Sequence, residues 1–380
     1  MSSISPPAPA STVLARVERE LREIWSMPPG QNEPPKSRAC TMNLVVVAGT
    51  REIAERYTSI VDEVTRSIPA RAIVVALDPE AKTSALEADT NAVCGLGEAG
   101  HVICSERVRL VALGRVCDRV GSAVDALCVP EIPTSVVWLG RVHVEDPVFL
   151  SVADNAQRIV LDSDYTSLTS LVNLARWARA EPGRPHFADM AWTRIAIWQE
   201  LCARFFDEPR LRELSMSITR VALRQASDPG ARLGSEGALL LGWLATRLGW
   251  KTSRIGGALR LKRPDGGNVT LQLGTVKRPA EVAPLALAEV VLEAEGQGIK
   301  LTGTIERELA SGLPDESPDA DVLVWRLSTQ GPPLEQRVRL RANRGARVLE
   351  RTLHRASDDS ALTESVAFAE EVFQDGVVCT

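Results

Sequence analysis

Between Arg38 and about Ala180, short apolar runs alternate with segments of helical spacing, and this alternation restricts the fold more than any other feature. The runs Leu44 to Val47, Ala72 to Ala76, Thr134 to Trp138 and Arg158 to Leu161 have strand length, and His101 to Ala112 reads as a longer strand. Side chains of a strand point to opposite faces in turn, so a run apolar at consecutive positions, such as Leu44-Val-Val-Val47, needs cover on both sides. Helical segments at Arg51 to Ser67, Arg115 to Leu127 and Tyr165 to Arg179, with a short one at Phe149 to Ala156, supply it. Residues 38–180 are therefore expected to form an α/β domain, a mixed or parallel sheet with helices on both faces.

After Glu181-Pro-Gly-Arg-Pro185 the pattern changes. Asp189 to Phe206 reads as a helix carrying Trp192, Ile195, Ala196 and Trp198, and Leu233 to Leu248 as a leucine-rich helix closed by Gly249. Strands follow with one polar face: Arg260 to Lys262 and Val269 to Leu273 flank the turn Pro264-Asp-Gly-Gly267. Ile299, Leu301 and Ile305 alternate with polar neighbours, as do Val338 and Leu340, and a last helix is expected from Asp358 to Gln374. The expectation for 181–380 is an α+β domain with an antiparallel sheet. Residues 1–37 read as a helix from Ser11, the candidate N-cap, to Trp25, followed by a proline-rich linker.

A chain of 380 residues suits two domains, and 44% apolar with 24% charged residues is an ordinary globular balance. A net charge of -5 gives no general attraction to nucleic acid or to an anionic membrane. Six residues are lysine, which leaves 38 of the 44 basic residues as arginine, the residue suited to planar, paired contacts. No basic, apolar leader opens the sequence, and no run approaches the roughly 20 apolar residues that span a bilayer. The seven cysteines are odd in number and hold no CxxC, which reads as reduced thiols and a cytoplasmic protein.

Motifs for chemistry are few. Gly95-Leu-Gly97-Glu-Ala-Gly100 matches GxGxxG, but a strand follows it where dinucleotide binding needs a helix, so a glycine-rich turn accounts for it and no cofactor is expected. Cys94, His101, Cys104 and Cys117 have no zinc-site spacing. Asp162 and Ser163 follow a strand directly, the place where open α/β sheets bind ligands; alternatively Asp162 or Asp164 caps the next helix. Asp189 opens the tryptophan-bearing helix and is read in the same two ways. Arg337, Arg339 and Arg341 share one strand face, either as an acceptor for anions or as a solvated edge.

Several blocks in order resemble the OpcA family of glucose-6-phosphate dehydrogenase assembly proteins. They are Arg38-Ala-Cys-Thr41-Met-Asn43, Pro69-Ala-Arg71, Cys104-Ser-Glu106, Pro133 to Gly140 and Arg158 to Ser163. Asp189-Met-Ala-Trp192-Thr-Arg194-Ile-Ala-Ile-Trp198, Phe205-Phe-Asp207 and Leu241 to Trp250 continue the series. Ile68-Pro69 and Gln199 depart from the family's usual residues. The resemblance implies a non-catalytic bacterial protein that assembles or allosterically activates glucose-6-phosphate dehydrogenase in the oxidative pentose phosphate pathway. The candidate partner-binding residues are Trp138, Asp162, Ser163, Asp189, Trp192 and Arg194. The rival reading is a sugar-phosphate enzyme or sensor at the strand ends, with Arg38 or Arg71 on the phosphate.

Overall fold

The computed structural model describes residues 9–26, 36–96, 102–163, 166–255, 258–278, 282, 284–308, 320–341, 345–355 and 359–373. In chain order its first elements are α1 (Ala10–Ser26), β1 (Lys36–Arg38), β2 (Met42–Ala48), α2 (Arg51–Ser67), β3 (Ala70–Asp78), β4 (Ala85–Leu96) and β5 (Val102–Leu113). A 3-10 turn at Gly114–Arg119 leads into α3 (Val120–Leu127), β6 (Thr134–Leu139), α4 (Pro147–Ala153), β7 (Arg158–Leu161), α5 (Leu168–Ala180) and β8 (His186–Asp189). Then come α6 (Met190–Arg204), a 3-10 turn at Arg212–Ser217, β9 (Ile218–Ala226), α7 (Ser235–Arg247), β10 (Lys251–Ile255), β11 (Ala258–Lys262) and β12 (Asn268–Val276). The series ends with β13 (Leu287–Gly296), β14 (Ile299–Arg307), β15 (Ala320–Ser328), β16 (Leu334–Arg341), α8 (Gly345–His354) and α9 (Ser360–Phe373).

Two compact units result. Met1–Thr166, Asn173–Asp189 and Gly345–Asp358 form the first, so α8 belongs with it; Ser167–Val172, Met190–Arg344 and Asp359–Thr380 form the second. In the first, β1-β5-β3-β2-β6-β7-β8 make a parallel sheet, and β4 adds an antiparallel strand to β5. Leu44, Val45, Val46 and Val47 are buried, as the unbroken apolar run requires of a central strand. Helix α2 begins where Thr50 accepts from the Ile53 amide (3.3 Å), and α4 where Asp146 accepts from the Val148 amide with Pro147 behind it. Arg158 donates to the carbonyls of Thr352, Leu353 and Arg355, satisfying groups that the end of α8 leaves unpaired.

The second unit holds the sheet β10-β11-β12-β9-β13-β14-β15-β16. All its pairs are antiparallel except β9 with β12, which are parallel. Along β14, Leu301, Gly303, Ile305 and Arg307 turn inward and Thr302, Thr304 and Glu306 outward. Phe205 stacks on Trp325 (5.2 Å between ring centroids) and rests directly on Gly303, where a Cβ would come within 2.6 Å of the phenyl ring. Likewise α7 meets α9 at Gly242, where a Cβ would lie 2.4 Å from the Ser365 carbonyl. The other face of the sheet carries cross-strand ion pairs: Arg220 with Glu293, Arg224 with Glu289, and Arg326 with Glu306 and Glu335. Among the described residues no helix is long and apolar enough to cross a membrane.

Candidate functional site

At the carboxyl ends of the parallel strands, β7 and β8 run side by side with Leu161 level with Asp189. The next residue after β7, Asp162, and Ser163 beyond it are buried, as is Asp189. Both Asp189 oxygens are engaged: Oδ2 accepts from the Ser163 amide and Oδ1 from the Ser163 hydroxyl, each at 2.9 Å. The helix cap expected from Asp162 is made elsewhere, since the Ser170 amide donates to Ser167 Oγ at the start of α5. The Asp162 carbonyl accepts from the amide and hydroxyl of Thr166, and Asp164 lies outside the described residues. Trp138, at the end of β6, is buried edge-on against Phe149 (5.2 Å), and its Nε1 donates to the Arg141 carbonyl (3.2 Å). That bond pins the loop after β6, where Arg141 and His143 are exposed.

Arg38 and Arg71, the candidate phosphate holders, sit at the other end of the sheet. Along the registers, Leu161 is level with Trp138, Val47 and Val75, so Arg71 lies four residues further toward the amino end of β3. Four residues span about 13 Å, and three strand spacings add about 14 Å sideways. The two arginines therefore build no common site with Asp162 and Ser163. They converge instead on buried Glu106: Arg71 Nε donates to Oε2 (2.7 Å) and Arg38 Nε approaches Oε1 (2.9 Å). Trp25 Nε1 also donates to Glu106 Oε1 (2.6 Å). Arg71 Nη1 reaches Glu18 (3.2 Å) and the Leu127 carbonyl (2.8 Å). With donors on each side, this network ties α1 and β1 to the sheet.

Trp192 and Arg194 lie on α6 in the second unit. Trp192 is buried and donates from Nε1 to Asp359 Oδ2 (2.8 Å), while Asp359 Oδ1 accepts from the Leu362 amide at the start of α9. Arg194 Nε donates to Glu236 Oε1 (2.8 Å), and Glu236 Oε2 accepts from the Leu287 amide (2.8 Å). Arg307 Nε then donates to the Leu287 carbonyl (3.0 Å). The β9–β13 ladder shifts register just after Leu287, so these two side chains serve a buried peptide unit at a bulge.

The cysteines depart from the expectation of free thiols throughout. Cys94 and Cys104 face each other across the β4–β5 ladder with Cα atoms 4.0 Å apart, and they form a disulfide. That removes two members of the supposed metal set; the Cys117 thiol donates to the Ala112 carbonyl, and His101 lies outside the described residues. No group of three or more metal-ligating side chains occurs among the described residues. Gly95 belongs to an antiparallel strand, and the rest of the GxGxxG beyond Leu96 lies outside them. On the arginine ladder of β16, Arg337 pairs with Glu308 (3.2 Å); the Arg341 side chain is outside the described set.

Glu106 and Glu236, the two buried glutamates among the described residues, were not singled out as site residues from the sequence. Glu236 left a signal: it is a lone charge heading the apolar run Gly237 to Leu241, and a carboxylate buried there needs a cation. Glu106 left a weaker one: at strand spacing it falls in line with Cys104, Val108 and Leu110, an otherwise apolar face.

Comparison with known proteins places this geometry. Residues 61–179 match the family model described as glucose-6-phosphate dehydrogenase subunit N-terminal domain, and 185–366 match the corresponding C-terminal domain. The chain is 28% identical over 203 residues to "Putative OxPP cycle protein OpcA" of Synechocystis, a match covering 50% of this chain and 39% of that protein. A Nostoc punctiforme protein of the same name is 29% identical over 193 residues, covering 50% and 40%. The chain thus spans about two fifths of the length of these relatives. Among solved structures, a 3-ketoreductase of Actinomadura kijaniata aligns with 88% of this chain and 97% of its own at TM-score 0.47 and 11% identity. Glucose-6-phosphate 1-dehydrogenase of Mycobacterium avium aligns over 89% and 93% at TM-score 0.39 and 12% identity. At those values neither bears on chemistry.

Proposed function

The chain belongs to the OpcA family of glucose-6-phosphate dehydrogenase assembly proteins, and from that premise we propose that it is a non-catalytic assembly factor and allosteric activator of the dehydrogenase. The observation that carries this reading is the ordered pair of matches over 61–179 and 185–366, each described as part of a dehydrogenase subunit. The strand ends support binding over chemistry. Ser163 and Asp189 bond to each other at 2% and 1% exposure, so a substrate atom has no route to the hydroxyl or the carboxylate. A buried polar pair of this kind fixes backbone. Together with Trp138 it sets the loops that follow β6 and β7, and exposed neighbours such as Arg141 and His143 are the side chains placed to meet a partner.

Activation then requires differential affinity. A partner that binds the active dehydrogenase assembly tenfold more tightly than the inactive one shifts that equilibrium by about 1.4 kcal/mol, and equal affinity shifts nothing. The test is to mix the purified chain with glucose-6-phosphate dehydrogenase and follow light scattering after size exclusion alongside enzyme kinetics. Co-elution with a changed oligomer size and a lower KM or higher kcat is expected. Separate elution with unchanged kinetics defeats the proposal. Saturable binding and turnover of glucose 6-phosphate by the isolated chain would instead establish the sugar-phosphate reading.

A further inference from the structure

Leaving aside the three-residue edge strand β1, the parallel strands β2, β3, β5, β6, β7 and β8, taken in chain order, lie 3-2-1-4-5-6 across the first sheet. That is the order of the doubly wound dinucleotide-binding fold, in which the turn from the first strand to the first helix seats the pyrophosphate. Here the turn joins β2 to α2 and reads Gly49-Thr-Arg51-Glu-Ile-Ala54. Against the Gly-x-Gly-x-x-Gly/Ala fingerprint, its first and third marked positions are kept and its second is not. Above Gly49 the space is open, for a Cβ there would meet nothing within 4 Å. Ala54, at the third position, is buried, as close packing of helix on sheet requires. Next door, β3 ends in Asp78, where such folds place the carboxylate for a ribose diol. A cavity of about 380 Å³ joins these parts, lined among others by Gly49, Thr50, Glu52, Asp78, Glu80 and Val111.

We infer that Arg51 and Glu52 close the dinucleotide seat of this fold, so that the protein holds no nicotinamide or flavin dinucleotide in it. Arg51 stands where backbone must touch the pyrophosphate, and a side chain there keeps the phosphates off. Its guanidinium is paired with Glu87 (3.1 Å), which offsets part of its charge. The Ala54 amide donates to the Thr50 carbonyl (3.2 Å) and the Gly49 amide to the Leu139 carbonyl (3.4 Å). Thr50 Oγ1 accepts from the Ile53 amide, and the Glu52 carboxylate is held by its own amide and by the Thr50 hydroxyl, which keep it below the usual glutamate pKa. A negative charge thus lines the cavity that a diphosphate would enter. Asp78 and Glu80 line the same cavity, so its wall carries three carboxylates, which disfavour an anion there. What the fold retains is the apolar floor and the ribose carboxylate, without the anion seat.

The inference concerns the chain alone and needs no dehydrogenase partner. Full-length wild type and the double variant R51G/E52Q are titrated with NADPH, reading cofactor fluorescence and equilibrium dialysis. Wild type is expected to show no saturation up to roughly 1 mM, and the variant an affinity at least tenfold higher. Saturation of wild type in the micromolar range overturns the inference, as does equal affinity in the two proteins. If circular dichroism shows the double variant unfolded, E52Q alone decides: a severalfold gain is expected, and identity with wild type overturns the inference.

Discussion

Among the described residues, the first unit buries the pair Arg71–Glu106 and the second Arg194–Glu236, and the two pairs serve different ends. In the first, Arg71 and Glu106 are joined by Arg38, Trp25 and Glu18, so the carboxylate collects three side-chain donors from α1, β1 and β3. In the second, Glu236 divides its oxygens between Arg194 and the Leu287 amide, and the pair stands in for a ladder bond that a bulge removes. The first pair fastens a segment that the sheet's hydrogen bonds hold by only three residues of β1. The second completes a sheet already continuous on both sides. Equal chemistry therefore carries unequal structural weight.

Removing Glu106 should do the most damage. Glu106→Ala leaves the Arg71 guanidinium, 8% exposed, without its main counter-charge, and breaking a buried pair in this way costs about 3–5 kcal/mol. Urea unfolding should show that loss, and limited proteolysis should show cleavage near α1 before the sheet opens. A loss under about 1 kcal/mol would mean that the network is not a fastening.

Next comes Glu236→Gln. The amide oxygen still accepts one bond, so the cost should be about 2–3 kcal/mol, smaller than for the first pair. If both substitutions proved equal, the contrast between a tether and a substitute ladder bond would fail. Trp192→Phe should cost least of the three, about 1 kcal/mol for the bond to Asp359, with the apolar body of the side chain kept. Thermal unfolding of the variants in one buffer ranks them.

The contrast between the sheets also governs how much was legible beforehand. Leu44 to Val47 announces a doubly covered strand because every side chain in it must be buried, and the sequence states that directly. β4 and β13 do not announce themselves. β4 carries Glu87, Asp89 and Asn91, and β13 carries Glu289, Glu293 and Glu295, residues with low strand propensity. In β13 they are tolerated because Arg224 and Arg220 on β9 stand opposite Glu289 and Glu293, a fact of register and not of local sequence. Without β4 the Cys94–Cys104 bridge could not be foreseen, since only the antiparallel ladder brings the two together. The candidate site shows the same division. Asp162 and Ser163 were recognisable as a strand end and Asp189 as a helix start, but the bonds between Ser163 and Asp189 depend on β7 lying beside β8, a strand not expected from the sequence. Arg38 and Arg71 were assigned to a phosphate at the strand ends and lie at the other end of the sheet, because their partner Glu106 sits 35 residues beyond Arg71.

The smallest effect separates the units by their free thiols. Cys202, in the second, is fully buried, and desolvation pushes its pKa far up; in the first, Cys40 is raised by half-burial and Cys128 reaches about 11, through desolvation first and then the nearby Asp125. At pH 8 all three are thiols, and iodoacetamide should modify Cys40 first, Cys128 more slowly and Cys202 only on unfolding. A thiol whose folded pKa is raised favours the folded state fully below its unfolded pKa of 9.0, and that contribution is lost as pH rises toward about 11. The urea midpoint of wild type should therefore fall more steeply between pH 9 and 11 than that of Cys128→Ser. Parallel curves for the two proteins would place the Cys128 thiol in contact with water and remove it from the buried chemistry of the first unit.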